Sequence, residues 1–227
     1  MKVNAANLKM MMDAIYGLKS DITLRCVNGK METITIDPAR VMLVNMSIPY
    51  EGDESDIVFM FEIGKVKKML PSKGEIEINV TDSKIEFICD GKKVRTRRMS
   101  TEYPEIKIPE LEYTGSGIMT GEEFVEMIKD ASEVSDGILF TIDNGSGVAS
   151  AAGTLDEVEY DFAARGNGKG KYSTGYLGQI SSTVGKFLKN KVVEISLGEN
   201  IPIKIEVKDE DVYCMWIVAP RIDDEVV

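Results

Sequence analysis

Ile106-Lys107-Ile108-Pro109-Glu110-Leu111 lies near the middle of a chain of 227 residues, and the division of the whole chain follows from how it is read. Pro109 has no backbone N–H to donate and pushes Ile108 towards an extended conformation, so the stretch suits neither a helix interior nor a central strand. What remains is an extended, partly apolar connector, or a surface loop carrying a few stray isoleucines. The flanking sequence decides between them.

Outward towards the N-terminus, strand patterns occupy Lys93–Met99, Lys84–Cys89 and Glu75–Val80, joined by Asp-Ser and Asp-Gly turns. Ahead of them a short helix, Ile63–Leu70, is stopped by Pro71 and exposes Lys65, Lys67 and Lys68. Further strands are predicted at Ile57–Phe61, Val41–Ile48, Thr33–Ile36 and Ile22–Val27, with Asp37-Pro38-Ala39 as a turn and Glu51–Asp56 as a polar loop. Leu8, Met11, Met12, Ile15 and Leu18 recur at helical spacing, which predicts an amphipathic helix over Asn7–Leu18 with Asn7 as its cap.

Towards the C-terminus the order recurs. A helix over Gly121–Val134 turns Phe124, Met127, Ile128 and Ala131 inward; strands follow at Ile138–Ile142, Gly147–Ala152 and Val158–Ala164. A second helix over Thr174–Leu188 begins after Ser173, and strands at Val192–Leu197, Ile201–Val207 and Val212–Val218 close the chain. Asp143-Asn144-Gly145-Ser146-Gly147 stands where Asp37-Pro38-Ala39-Arg40-Val41 stands in the first half. Each half reads helix, strands, helix, strands over about 110 residues, and an internal duplication is the economical explanation. The expected fold is α+β: two tandem domains of antiparallel sheet and two helices each, at 1–105 and 119–227, joined by an extended connector over 106–118.

Composition narrows the function. The chain is 43% hydrophobic, enough for a sizeable core, yet no apolar run approaches the roughly 18 residues of a membrane span. Met1-Lys2-Val3-Asn4 does not open a secretory signal, so a soluble, intracellular protein is expected. There is no histidine, which removes Ser-His-Asp and Cys-His nucleophile pairs and every His-ligated metal site. Cys26, Cys89 and Cys214 sit in apolar, strand-like stretches and read as buried thiols. Gly145-Ser146-Gly147 and Gly166-Asn167-Gly168 lack the strand and helix context of a phosphate loop, and the acids form no catalytic constellation. No cofactor, no metal and no enzyme activity are expected.

The net charge of −11 is uneven: residues 1–105 hold 16 Lys and Arg against 16 Asp and Glu, residues 106–227 hold 11 against 22. In Lys92-Lys93-Val94-Arg95-Thr96-Arg97-Arg98 a period of two puts Lys93, Arg95 and Arg97 on one face. In Asp156-Glu157-Val158-Glu159-Tyr160-Asp161-Phe162 it puts Glu157, Glu159 and Asp161 together, with Val158, Tyr160 and Phe162 opposite. Both patterns fit solvated edge strands charged against aggregation. They also fit a heterologous contact that closes a ring, one basic edge meeting one acidic edge.

Five motifs in order carry a family resemblance: Asp37-Pro38-Ala39-Arg40-Val41; Tyr103-Pro104 followed by Ile106-Lys107-Ile108-Pro109-Glu110; Lys171-Tyr172-Ser173 with Tyr176-Leu177; Ile201-Pro202-Ile203-Lys204-Ile205; and Val218-Ala219-Pro220-Arg221-Ile222. With the duplication and the central connector, the chain resembles the DNA polymerase sliding clamps of archaea and eukaryotes, the proliferating cell nuclear antigen family. The resemblance implies a processivity factor: a ring of three identical subunits, helices lining the hole and sheets outside, that encircles duplex DNA without reading its sequence. It implies partners in DNA polymerase, the clamp loader and other replication and repair enzymes bearing a short motif that ends in aromatics, with no membrane, and a place in the cytoplasm beside the nucleoid or in a nucleus. Lys93, Arg95 and Arg97 would meet Glu157, Glu159 and Asp161 of the next subunit. Lys9, Lys65, Lys68 and Lys129 would face DNA phosphates, although the same lysines also suit ordinary solvated helix faces.

Glu126, Ser182, Met10 and Tyr16 stand at places where the family often carries basic residues, which implies a weaker hold on DNA. Ile36, Val41, Ile106, Ile108, Pro109, Pro202, Ile217, Ala219 and Pro220 would line the client pocket, with plain core packing as the other reading of Ile36 and Val41. Between Ala164 and Tyr172 the chain is shorter than the family pattern, so the second sheet is expected to lose a strand there. The rival to this function is an acidic interaction scaffold or DNA mimic that forms no ring. It leaves the basic helix positions and the paired charged strands unexplained.

Overall fold

The computed structural model describes residues 1–53 and 56–222; Glu54 and Ser55, within the expected polar loop, lie outside the described residues. The chain divides into two compact units, Met1–Lys107 with Asp209–Cys214, and Ile108–Lys208 with the chain from Met215 onward.

The first unit runs β1 (Lys2–Asn4), α1 (Ala5–Tyr16), β2 (Asp21–Val27), β3 (Lys30–Ile36), β4 (Met42–Pro49), β5 (Ile57–Glu62), α2 (Ile63–Met69), β6 (Glu75–Val80), β7 (Lys84–Cys89) and β8 (Lys92–Arg97). Its strands are ordered β1-β6-β7-β8 and β4-β3-β2-β5, antiparallel wherever the register is given. Helix α1 starts earlier than its apolar period: Asn4, not Asn7, is the cap, its side-chain oxygen accepting from the N–H groups of Ala6 and Asn7. Ala5 and Ala6 favour helix but carry no periodic signal, so the pattern is silent about the first turn. The inward face is Leu8, Met11, Met12 and Ile15, all buried. The Phe61 ring meets Phe87 edge-on, centroids 5.3 Å apart, a packing worth about 0.5–1.5 kcal/mol beyond the area buried.

The second unit runs β9 (Gly115–Thr120), α3 (Gly121–Val134), β10 (Gly137–Asp143), β11 (Ser146–Ala152), β12 (Glu157–Gly166), β13 (Gly168–Ser173), α4 (Thr174–Phe187), β14 (Val192–Leu197), β15 (Ile203–Asp209) and β16 (Val212–Val218), with sheet order β13-β10-β11-β12-β9-β14-β15-β16. Helix α3 occupies the expected span and opens with a capping box, Thr120 and Glu123 each satisfying an N–H of the other's backbone. Its buried face, Phe124, Met127, Ile128 and Ala131, is the expected one.

The two halves share one order, a strand, a helix, four strands, a helix and three strands, so the duplication holds element by element. It corrects two expectations. The turn Asp143–Ser146 joins β10 to β11 and so answers Asn28-Gly29 between β2 and β3; the segment answering Asp37–Val41 is Gly153–Asp156. Asn28-Gly29 and Asn144-Gly145 both have positive φ at both positions, as a two-residue hairpin turn requires. The second sheet has not lost its strand either. β13 pairs with β10 from Gly137↔Ser173 to Ile142↔Gly168, and only Asn167 separates it from β12. Gly-Lys-Gly-Lys-Tyr has neither the alternation nor the β-branched residues that announce a strand, which is why the sequence reads as a loop.

Asp37 shows why its turn has that sequence. Its carboxylate is buried and accepts from the backbone N–H of Val41 at 2.6 Å, Met42 at 2.7 Å and Ala39 at 3.0 Å. Asp37→Ala is expected to destabilise the first unit by about 2 kcal/mol, read as a lower midpoint in urea, with Asp37→Asn recovering part of the loss. The three cysteines are buried thiols in no disulfide, and burial pushes the Cys214 thiol up to about 12. Among the described residues no helix is long and apolar enough to cross a membrane.

Candidate interaction surfaces

In the first unit β8 is the last strand of its sheet, paired only with β7 among the described residues. Lys93, Arg95 and Arg97 are all exposed on it and Val94 is buried beneath, as the alternation predicts. The three cations are not equivalent. Arg95 Nε donates to Glu86 Oε1 at 2.5 Å across the β7–β8 pair, and Lys93 lies 3.9 Å from the same carboxylate. The hydrogen bond from Arg95 holds the Glu86 carboxyl below its ordinary range. Arg97 stands opposite Lys84, with no carboxylate in register, so its charge is the one most available to a partner.

In the second unit β12 pairs with β11 along Glu157–Ala163, but with β9 only at Ala163–Gly166. The other side of residues 157–162 therefore has no strand partner among the described residues, a six-residue opening that matches the six residues of β8. Glu157, Glu159 and Asp161 are exposed, while Val158, Tyr160 and Phe162 are half-buried. Where β9 and β12 diverge, a cleft of about 460 Å³ opens, lined by Ile118, Met119, Met127, Phe162 and Val192 with Glu123, Glu126 and Asp161 among its polar residues. Ile118 is 53% and Val192 58% exposed, unusual for large apolar side chains on one wall. The Phe162 ring lies where a Cβ on Gly147 would be, so β11 can pass close beneath it. Tyr160 donates its hydroxyl proton to Asp130 of α3, and that bond pushes its phenol up to about 12.

The helix cations also divide. Lys65 and Lys68 are exposed on α2. Lys67 pairs with Asp13 and lies 4.8 Å over the Tyr16 ring. Lys9 is half-buried, and its ammonium donates to Leu70 O and Ser72 Oγ, both at 3.1 Å, tying α1 to the end of α2. Met10 is buried, so that position is not on an exposed helix face. In the second unit Lys129 is exposed, but Glu126 precedes it by three residues and Glu133 follows by four, on the same side of α3.

Of the apolar partner residues, Ile36, Val41 and Ile106 in the first unit are half-buried. In the second unit Ile108 is 42% exposed, Pro109 is exposed, and Pro202, Ala219 and Pro220 are half-buried; Ile217 is buried within β16. Residues 101–114 form no helix or strand. The second unit secures its end of the connector through Thr114, whose N–H donates to Leu197 O at 3.1 Å and whose hydroxyl donates to Asn167 O at 2.7 Å. Lys204 lies 5.4 Å over the Tyr113 ring just before it, and burial, then Glu206, pushes the Tyr113 phenol up to about 12.

Sequence reasoning missed the cleft beside β12. Ile118 and Val192 meet only because β9 pairs with β14, and β9, like β13, is glycine-rich. The period-two alternation of Gly115-Ser116-Gly117-Ile118-Met119-Thr120 was the available signal.

No family model matches the chain. Curated relatives named DNA polymerase sliding clamp do: that of Thermococcus onnurineus is 28% identical over 213 residues, 83% of this chain and 84% of the relative, and that of Methanococcus maripaludis is 26% identical over 246 residues, 97% of each. Among solved structures, A. fulgidus PCNA bound to the C-terminal region of FEN-1 superimposes with a TM-score of 0.89 at 22% identity, covering 99% of this chain and 98% of that one. PCNA from Thermococcus kodakaraensis gives 0.83 at 20% identity over 97% and 99%. The resemblance carried by the five motifs thus extends over nearly the whole chain, and the fold is that of these proteins.

Proposed function

We infer that this chain is a DNA polymerase sliding clamp, a subunit that joins copies of itself head to tail into a ring around duplex DNA and holds replication and repair enzymes to it. The observation that carries this reading is the pair of unpaired strand edges, one basic on β8 in the first unit and one acidic on β12 in the second. Each chain holds both, so one chain type suffices for closure. Two different edges make a heterologous contact, which closes only as a ring or grows as a filament. The relatives' name and the PCNA fold favour the ring, and three copies. An acidic scaffold leaves these edges, each a hazard for aggregation when exposed, without a purpose. The protein is a tether in this reading and performs no catalysis.

Strand pairing alone is a thin contact, and the cleft beside β12 supplies apolar area. Its occupant is the neighbouring copy, whose Met69, 39% exposed at the end of α2, sits beside the basic edge through Lys92 Nζ donating to Met69 O at 2.8 Å. Polymerase and other clients bind elsewhere, at the connector and the exit from β16, where Ile108, Pro109, Pro202, Ala219 and Pro220 offer apolar surface to an aromatic-ended motif.

Lysines on the helices face the DNA backbone, and the contacts are uneven. Lys68 has no acid within four residues and Lys65 only Glu62 at the N-cap of α2, while Lys129 is offset by both Glu126 and Glu133 and Lys9 is engaged by Leu70 and Ser72. Lys65→Ala with Lys68→Ala, which removes both lysines from each of the three copies, should weaken binding to duplex DNA several-fold at low salt and make the slope of log affinity against log salt shallower by up to about five. Lys129→Ala should change both much less. Fluorescence anisotropy across a salt series reads this, and equal effects from the two sets would contradict the assignment.

A further inference from the structure

Beyond β16 the chain carries Ala219, Pro220, Arg221 and Ile222, the last 91% exposed. No helix or strand holds this segment. Its backbone is attached through the Arg221 N–H, which donates to Lys171 O of β13 at 2.7 Å. The Arg221 guanidinium then reaches the start of β10: Nη1 donates to the Asp136 carbonyl at 2.8 Å and lies 2.7 Å from Asp136 Oδ1. Asp136 lies between α3 and β10, and its carbonyl also accepts from Thr174 N–H at the start of α4. Gly137 next to it leaves the space the arginine crosses, since a Cβ there would come within 3.3 Å of Arg221 Nη1. The same strand β13 holds a second segment. Tyr172 donates its hydroxyl proton to Ile201 O at 2.7 Å, beside Pro202, and its ring lies over Gly170, where a Cβ would collide with the hydroxyl.

The Asp136 side chain is 85% exposed, and a solvated pair of this kind adds little to global stability. What it fixes is direction. Resting on the client-binding reading above, we propose that the Arg221–Asp136 pair is a positioning device: it holds Ala219-Pro220 in the pose a client peptide meets, with β13 as the common platform for that segment and for Ile201-Pro202. Arg221 and Asp136 are positioning residues in this account and do not touch the client. A tail that is released populates the competent pose for a fraction of the time, and the apparent affinity falls by that fraction.

The test is calorimetric titration of the whole protein with a synthetic polymerase tail peptide ending in aromatics. Asp136→Asn, which keeps the backbone carbonyl, should weaken binding by about two- to threefold, and Arg221→Ala, which also loses the hydrogen bond to that carbonyl, by about fivefold. The double variant should be no weaker than Arg221→Ala alone, and Arg221→Lys should recover part of the affinity. The thermal midpoint should stay within a degree or two of the parent. Parent-like affinity in Asp136→Asn overturns the proposal, and so do additive losses, which would mean that the two residues act independently. A parent protein that binds no peptide at all removes instead the client-binding reading on which the proposal rests.

Discussion

Lys93→Glu with Arg97→Glu is expected to convert the assembled protein into monomers. Both side chains are exposed on the free edge of β8, where they would meet Glu157, Glu159 and Asp161 of the next copy. Like charges set across a strand pair repel, and like-charge contacts in an interface cost several kcal/mol. Arg95 is left in place because its hydrogen bond to Glu86 holds β8 to β7; Lys93 lies 3.9 Å from the same carboxylate, so a urea midpoint measured beside the mass separates loss of assembly from loss of fold. Arg97 stands opposite Lys84, so a glutamate at that position gains an attractive neighbour within the chain and leaves the sheet intact. Adding Glu157→Lys and Asp161→Lys to the same chain swaps the sign of both edges and should restore the ring. Sedimentation velocity separates these states. A charge-reversed variant that sediments like the parent would show that the edges do not meet.

Ile108→Asp is expected to abolish client binding without dissolving the ring. Ile108 is 42% exposed in the free chain, so the aspartate is solvated until a client covers it. Covered, an unpaired carboxylate costs several kcal/mol, which weakens binding by at least about a hundredfold. On the proposed reading aromatic anchors of the client would supply most of the affinity and would not compensate for that loss. Calorimetry with a polymerase tail peptide measures it, and sedimentation of the same sample shows whether the oligomer survives. Affinity equal to the parent would remove the connector from partner capture.

What the sequence revealed and what it withheld follow from the range of the interactions involved. Helix α3 was legible to the residue from its apolar period, and the capping box found in the structure agrees with it. The charged faces of β8 and β12 were legible because period-two alternation is local. β9 and β13 were not, since their glycines serve close contacts made by the rest of the second unit, such as Gly168 against Leu197 and Gly117 against Phe162. The cleft needs β9 to pair with β14, and the fixing of the tail needs Arg221 to find Asp136, 85 positions away. Lysine positions were legible but their engagement was not: nothing in Lys9 itself says that Leu70 and Ser72 hold its ammonium. Charge pattern thus names candidate surfaces, and tertiary contacts decide which charges a partner finds available.

The ring is the central claim, because encirclement of DNA and the pairing of the two edges depend on it. Native mass spectrometry of the purified protein at micromolar concentration tests it most directly. The account predicts a dominant species of three times 25.1 kDa, lost on charge reversal at β8. A species at 25.1 kDa that persists as concentration is raised, or a ladder of unclosed oligomers, would contradict it.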